Sequence, residues 1–186
     1  MKTAKIERHP ERSMSGLESE ILSKGMVAHV GFCDNGRPVV IPFSYHYDKA
    51  DADHIYLHGS VESRALKCIA TGDPVCIEVT QLDALVYSRS AKYHSMNYHS
   101  VVCFGRGRVI DDPEAKARIF DAAVRRYFPG REIGRDYMAA TLAQLNTTAL
   151  LEIVIEEWSA KGREGGPKGP RDADPHAPGT CGVIPL

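Results

Sequence analysis

The chain has 186 residues, with 23 Lys plus Arg, 24 Asp plus Glu and a formal net charge of −1. Hydrophobic residues make up 43% and charged residues 25%, the balance of a globular protein that can bury a core of its own. This excludes a strong overall pull toward nucleic acid or anionic membrane, and no apolar run is long enough to span a bilayer.

The first fifteen residues are charged and polar, without an apolar signal core, and read as a mobile arm of a cytoplasmic protein. Ser15 is placed to cap a short helix over 16–24, which Gly25 ends. Residues 26–33 alternate as a strand, Asp34-Asn35-Gly36 is a hairpin turn, and 37–47 is a second strand. Pro42 within it marks an edge, a bulge or an opening in the ladder. A third strand over 54–58 meets a helix over 61–70, which Thr71-Gly72-Asp73-Pro74 closes. Residues 75–80, 82–88 and 100–110 are β-rich. Asp112 as N-cap and Pro113 at the first position open a helix through Arg126. A further helix over 135–145 precedes a last strand over 149–155.

From Ser159 onward Gly, Pro and charged residues dominate, so 159–186 reads as a loose tail, and its apolar end, Val183 to Leu186, as a docking point. The division is therefore an arm over 1–15, one domain over 16–158, and the tail. Many short, hairpin-linked strands with few helices predict a small, mainly antiparallel barrel. The five cysteines (Cys33, Cys68, Cys76, Cys103, Cys181) are far apart, contain no Cys-x-x-Cys, and read as reduced thiols.

Three constellations are dense in chemistry. In His58-Gly59-Ser60-x-x-Ser63-Arg64, a strand end meets a helix start with two hydroxyls and a guanidinium. That combination suits a phosphate, and it equally suits a plain helix start capped by Ser60. In Arg37-Pro38-Val39-Val40-Ile41-Pro42, an apolar strand with donor-free prolines leaves backbone groups for a flat ring, or is a buried edge strand. His94-Ser95-Met96-Asn97-Tyr98-His99-Ser100 completes a pocket or forms a solvated hairpin loop. Despite eight histidines, no metal-ligand spacing occurs, and neither a nucleophile elbow, a Walker loop nor a dinucleotide fingerprint is present.

Taken in order, these segments resemble the pyridoxamine 5′-phosphate oxidase-like FMN-binding split barrels, with the nitroimidazole-resistance flavoproteins among them. The matching stretches are Arg8-His9-Pro10-Glu11-Arg12, HVGFCDNGRPVVIP, IYLHGSVESR, HSMNYHSVVCFG, Pro129-Gly130-Arg131, SAKGREGGPK and the terminal GVIPL. Each is weak alone; seven in register are specific. The resemblance implies a six-stranded antiparallel split barrel with flanking helices, a homodimer, and FMN at the subunit interface. By position, Val39, Val40, Ile41 and Pro42 would run beside the flavin ring. His58, Gly59 and Ser60 would lie near the ring and ribityl chain, Ser63 and Arg64 on the phosphate, and Thr80 near the ring. Asn97, Tyr98 and Ser100 would line the pocket, from the same or the partner subunit.

The chain departs from the pattern in three places. Thr180 and Cys181 stand where a tryptophan is common, and His99 stands for a frequent arginine. The Arg-x-His motif of vitamin B6 oxidation is absent near the C-terminus. The expectation is a flavin-dependent oxidoreductase with a small-molecule substrate, no nucleic-acid or membrane partner and no bare metal site, in which His58 is the candidate catalytic proton donor. The alternatives are a flavin carrier or sensor, or the same fold holding haem or a deazaflavin.

Overall fold

The structure, a computed structural model, describes residues 4–186. Its elements are α1 (Glu18–Lys24), β1 (Ala28–Asp34), β2 (Arg37–Phe43), β3 (Tyr45–His46), β4 (His54–Ser60), α2 (Arg64–Ile69), β5 (Pro74–Tyr87), β6 (Ser95–Val109), α3 (Pro113–Tyr127), α4 (Leu142–Thr147), β7 (Thr148–Arg163) and β8 (Gly182–Pro185). The strands run in the order β2-β1-β5-β6-β7-β4-β3, with β8 added to β5, and the pairs are antiparallel.

The two ends of this order, β2 and β3, are separated only by Ser44. Within one residue the chain leaves β1 and takes up β4, and the sheet closes on itself. Counted as one bent strand, β2 and β3 complete the expected six-stranded wall. The closure is incomplete. Tyr45 and His46 pair with Leu57 and Tyr56, but among the described residues Arg37–Phe43 pairs only with β1, and His58 to Ser60 only with β7. Pro38 and Pro42 explain part of this: a proline inside a ladder turns its nitrogen away from the partner, so β2 offers no donor there to β4. Two strand edges are thus left unpaired, and the barrel is split.

Inside, alternate residues of the strands meet the two short helices. Val30, Ile55, Leu57, Ile77, Val79, Leu151 and Ile153 are fully buried with Leu22 of α1 and Ile69 of α2. At the register shift between Phe104 and Gly105, a Cβ on Gly105 would collide with the Val154 carbonyl, so only glycine lets β6 and β7 approach.

Several elements differ from the sequence reading. Ser15 is not a cap: α1 starts at Glu18 behind Leu17, and the Glu18 carboxylate takes the Gly16 N–H at 2.7 Å. The expected second strand breaks at Ser44. Ser63, not Ser60, caps α2, which has only six residues. Residues 75–88 form one strand with a bulge at Asp83, not two. The helix expected over 135–145 is confined to Leu142–Thr147, because Thr141 and Gln144 form a capping box there.

The largest correction is at the end. β7 continues to Arg163, pairing Trp158 to Arg163 with β6, so the Gly/Pro-rich segment starts at Glu164 rather than Ser159. That segment is also held. Asp172 accepts from Ser88 Oγ at 2.9 Å, Arg89 N–H at 2.9 Å and Gly169 N–H at 2.6 Å, and β8 pairs with β5. The arm is likewise docked in its described part: Met14 N–H donates to the Ala160 carbonyl at 2.9 Å, and Ser13 bridges to Lys161.

α3 secures the bend. The Arg126 guanidinium donates to the carbonyls of Tyr45, Leu22 and Gly25 at 2.6, 3.0 and 2.5 Å, and stacks over the rings of Tyr45 and Tyr127. Tyr127 Oη accepts the Tyr45 N–H at 2.9 Å. The backbone freed at the strand switch is thereby satisfied by one helix end. Arg126→Ala should destabilise the fold by about 2–4 kcal/mol, from several lost charge-assisted bonds and stranded carbonyls. Arg126→Lys should recover less than half, since an ammonium cannot reproduce the planar fork. Urea denaturation followed by circular dichroism measures both.

Candidate functional site at the split

Along β2, Val39 and Ile41 pack against the core, whereas Val40, 67% exposed, and Pro42 face out. Along β4, Ile55 and Leu57 point in, and His58 and Ser60 point out. The outer face beside the split is roofed by α3, α4 and the connection over 128–141. Together they border a largely apolar, open-sided cavity of about 750 Å³, lined among others by His58, Phe120, Val124, Tyr127, Tyr137 and Met138.

His58 is the imidazole of this cavity. Its ring meets Phe120 edge-on with centroids 5.3 Å apart, and it makes no side-chain hydrogen bond among the described residues. The side chain is exposed toward the cavity, and desolvation by the protein around it lowers its pKa below 6.5. Ser60 Oγ accepts the Glu62 N–H at 3.1 Å and Ser63 Oγ the Leu66 N–H at 3.4 Å, which leaves both hydroxyl protons for a ligand. The Arg64 side chain is 72% exposed and stands 3.5 Å from Asp34. Gly59 is tight, since a Cβ there would stand 3.0 Å from Leu66.

The structure therefore gathers Val39 to Pro42, His58 to Ser60, Ser63 and Arg64 around the split. It does not bring Thr80, Asn97, Tyr98 and Ser100 there within one chain. These lie on β5 and β6, with β1 between them and β2. Thr80 and Ser100 are cross-strand partners, Ser100 Oγ donates to the Lys161 carbonyl at 3.1 Å, and Asn97 accepts from Arg163. The cavity wall on α3 escaped the sequence reading, although Ala117, Phe120, Val124 and Tyr127 stand at helical spacing on one face.

Behind the same wall, His46 is buried, with Nδ1 unpaired, and burial followed by the Arg126 charge lowers its pKa below 6.5. Among the described residues no His, Cys, Asp and Glu cluster is fit to hold a bare metal ion, and no helix is long and apolar enough to cross a membrane.

Residues 19–162 match the family described as pyridoxamine 5′-phosphate oxidase. The chain belongs to that family. Among solved structures it is similar to the FAD- and haem-binding protein from Mycobacterium smegmatis, at 34% identity over 90% of this chain and 80% of that one, with a TM-score of 0.79. It is similar also to the flavocytochrome Anf3 from Azotobacter vinelandii, at 30% identity over 98% of this chain and 83% of that one, with a TM-score of 0.85. A structure assigned to 5-nitroimidazole antibiotic resistance in Bacteroides thetaiotaomicron shares the fold at 23% identity, over 79% of this chain and 86% of that one, with a TM-score of 0.63. No curated protein matches.

His46 and His58 together predict a pH dependence. Both folded pKa values lie below the ordinary 6.5, so between folded and unfolded values the unfolded chain binds more protons. Their contribution is present above 6.5 and is lost as pH falls through it toward the folded values. Thermal melts should drop as pH is lowered from 7.5 to 5.5, and His46→Gln should flatten that dependence. A melting temperature that rises over this interval would contradict the assignment.

Proposed function

We propose that the protein is a flavohaem redox protein, with a flavin nucleotide at the split and haem in the cavity beneath α3, where His58 would hold the iron. The observation that carries this reading is an apolar cavity of about 750 Å³ containing an imidazole without a protein hydrogen bond. Its size falls within the range of cofactor pockets, and haem iron takes an unprotonated histidine as its proximal ligand. Desolvation by the surrounding protein shifts His58 toward that form. The same downward shift favours ligation over proton donation. The two similar proteins named for flavin or haem content support the pairing.

The split offers the flavin two unpaired strand edges and the hydroxyls of Ser60 and Ser63. The Arg64 side chain is 72% exposed there and free to meet a phosphate, and the similar FAD- and haem-binding protein supports FAD as the nucleotide. Bound together, flavin and haem would supply electron transfer between a two-electron and a one-electron carrier. This chain's strand edges would hold the flavin ring, and Phe120 and Tyr127 would pack apolar rings beside the haem held by His58.

A homodimer completes the flavin site in this reading. Met96, Leu85 and Ile184 are neighbours across β6, β5 and β8, and all three are exposed, at 44%, 43% and 53%. Such a row on an outer strand face suits a twofold contact. It would bring the partner's copy of the Thr80, Asn97, Tyr98 and Ser100 surface to the split. Light scattering should give twice the chain mass, and Leu85→Asp should yield monomer with loss of flavin. A monomer that keeps its flavin would remove the dimer from the reading.

The test of the cofactor assignment is spectroscopic. Protein expressed with sufficient haem supply should show a Soret band beside flavin absorbance, and extracted flavin should run as FAD on chromatography. His58→Ala should lose most of its haem and retain its flavin. An unchanged Soret band in that variant would exclude His58 as ligand, and a wild-type protein with flavin and no Soret band would leave a flavoprotein alone.

A further inference from the structure

Two of the sequence motifs, Arg8-His9-Pro10-Glu11-Arg12 and SAKGREGGPK, play no part in the split. The fold brings them together. Ser13 and Met14 bridge to the last residues of β7, and Lys161 Nζ donates to the Arg8 carbonyl at 3.0 Å. Gly162 is required for this contact, because a Cβ there would strike the Met14 side chain and approach the Tyr98 carbonyl to 2.9 Å. Between the arm and the turn after β7 lies a polar pocket of about 280 Å³, lined by Glu11, Arg12, Met14, Arg163, Glu164 and Lys168 among others.

The charges in this pocket are unbalanced. Its two carboxylates are engaged with histidines: Glu11 with His9 at 2.9 Å, Glu164 with His99 at 2.9 Å. Its three cations have no carboxylate partner among the described residues. Arg163 donates only to neutral acceptors, Asn97 Oδ1 and the carbonyls of Gly165 and Gly166, keeping Nε–H and one Nη2 proton for a ligand. The side chains of Arg12 and Lys168 make no hydrogen bond or ion pair among the described residues. Two guanidinium groups and an ammonium lining one small concavity suit the charge of a phosphate group.

We propose that this pocket is a phosphate-binding site, separate from the cavity behind His58 and independent of whether flavin or haem is bound there. Two sources share that chemistry: the diphosphate of a bound dinucleotide, or a separate phosphorylated small molecule.

The probe is inorganic pyrophosphate, titrated calorimetrically into the full-length chain after removal of any bound flavin. Saturable binding is expected, weakened about ten-fold by Arg12→Gln and about ten-fold more by adding Lys168→Gln, as one charge-assisted contact is lost each time. Arg106→Gln, which removes an exposed guanidinium paired with Glu156 at 3.1 Å, should leave binding unchanged. Lys168 is exposed, so Lys168→Gln alone gives a reading even if Arg12→Gln disturbs the arm. If saturating FAD, but not riboflavin, blocks pyrophosphate, the natural occupant is the flavin's own diphosphate. If pyrophosphate still binds beside FAD, it is a separate ligand. No binding, or binding that the double variant leaves intact, overturns the site.

Discussion

Everything in this fold turns on one exchange of partners. At Ser44 the chain stops pairing with β1 and starts pairing with β4. A strand in that position has backbone donors and acceptors that no ladder satisfies, and a buried group left unpaired costs on the order of 1–3 kcal/mol. Arg126 and Tyr127 remove that penalty by donating to, and accepting from, the two sides of Tyr45. The same guanidinium takes carbonyls at the end of α1. One helix end thus fixes the bend, the closing strand and the C-terminal end of α1.

The functional geometry follows from the same exchange. Because β2 and β4 part company before Ser44, their edges stay unpaired and the outer wall opens. Because α3 must run across the bend to deliver Arg126, its preceding turns lie over β4. Phe120, Val124 and Tyr127 are therefore carried to the place where His58 faces out. The void between them is what remains when a helix is pinned at its last turn and propped from the strand by large rings. Filling it with a flat, apolar group would add dispersion contacts that the empty wall lacks.

Much of this was legible in the residues. Asp34-Asn35-Gly36 gives the hairpin, Asn35 and Gly36 both taking positive φ, and Asp112 caps α3 as its side chain requires. Pro42 marked an edge, a bulge or an opening, and β2 proves to be paired with β1 and an edge toward β4. What stayed hidden depended on distant partners. Residues 159–163 look like the start of a tail because Lys, Gly and Arg carry no strand preference, yet β6 offers an unpaired edge that draws them in. Residues 135–141 have helical composition, but Thr141 and Gln144 start the helix later. Of the candidate site residues, those on β2, β4 and α2 converge because they are near in sequence. Those on β5 and β6 do not, since periodicity within one strand says nothing about which subunit a face will meet.

Local charge, not net charge, carries the chemical specificity. A chain with 23 basic and 24 acidic side chains has no long-range field with which to gather an anionic cofactor. Recognition must then come from places where pairing is deliberately incomplete. At the split the incompleteness lies in the backbone: two strand edges without neighbours. In the cavity it is a histidine whose pKa desolvation lowers and which makes no side-chain hydrogen bond among the described residues. At the arm it is three cations whose nearby carboxylates have been taken by His9 and His99.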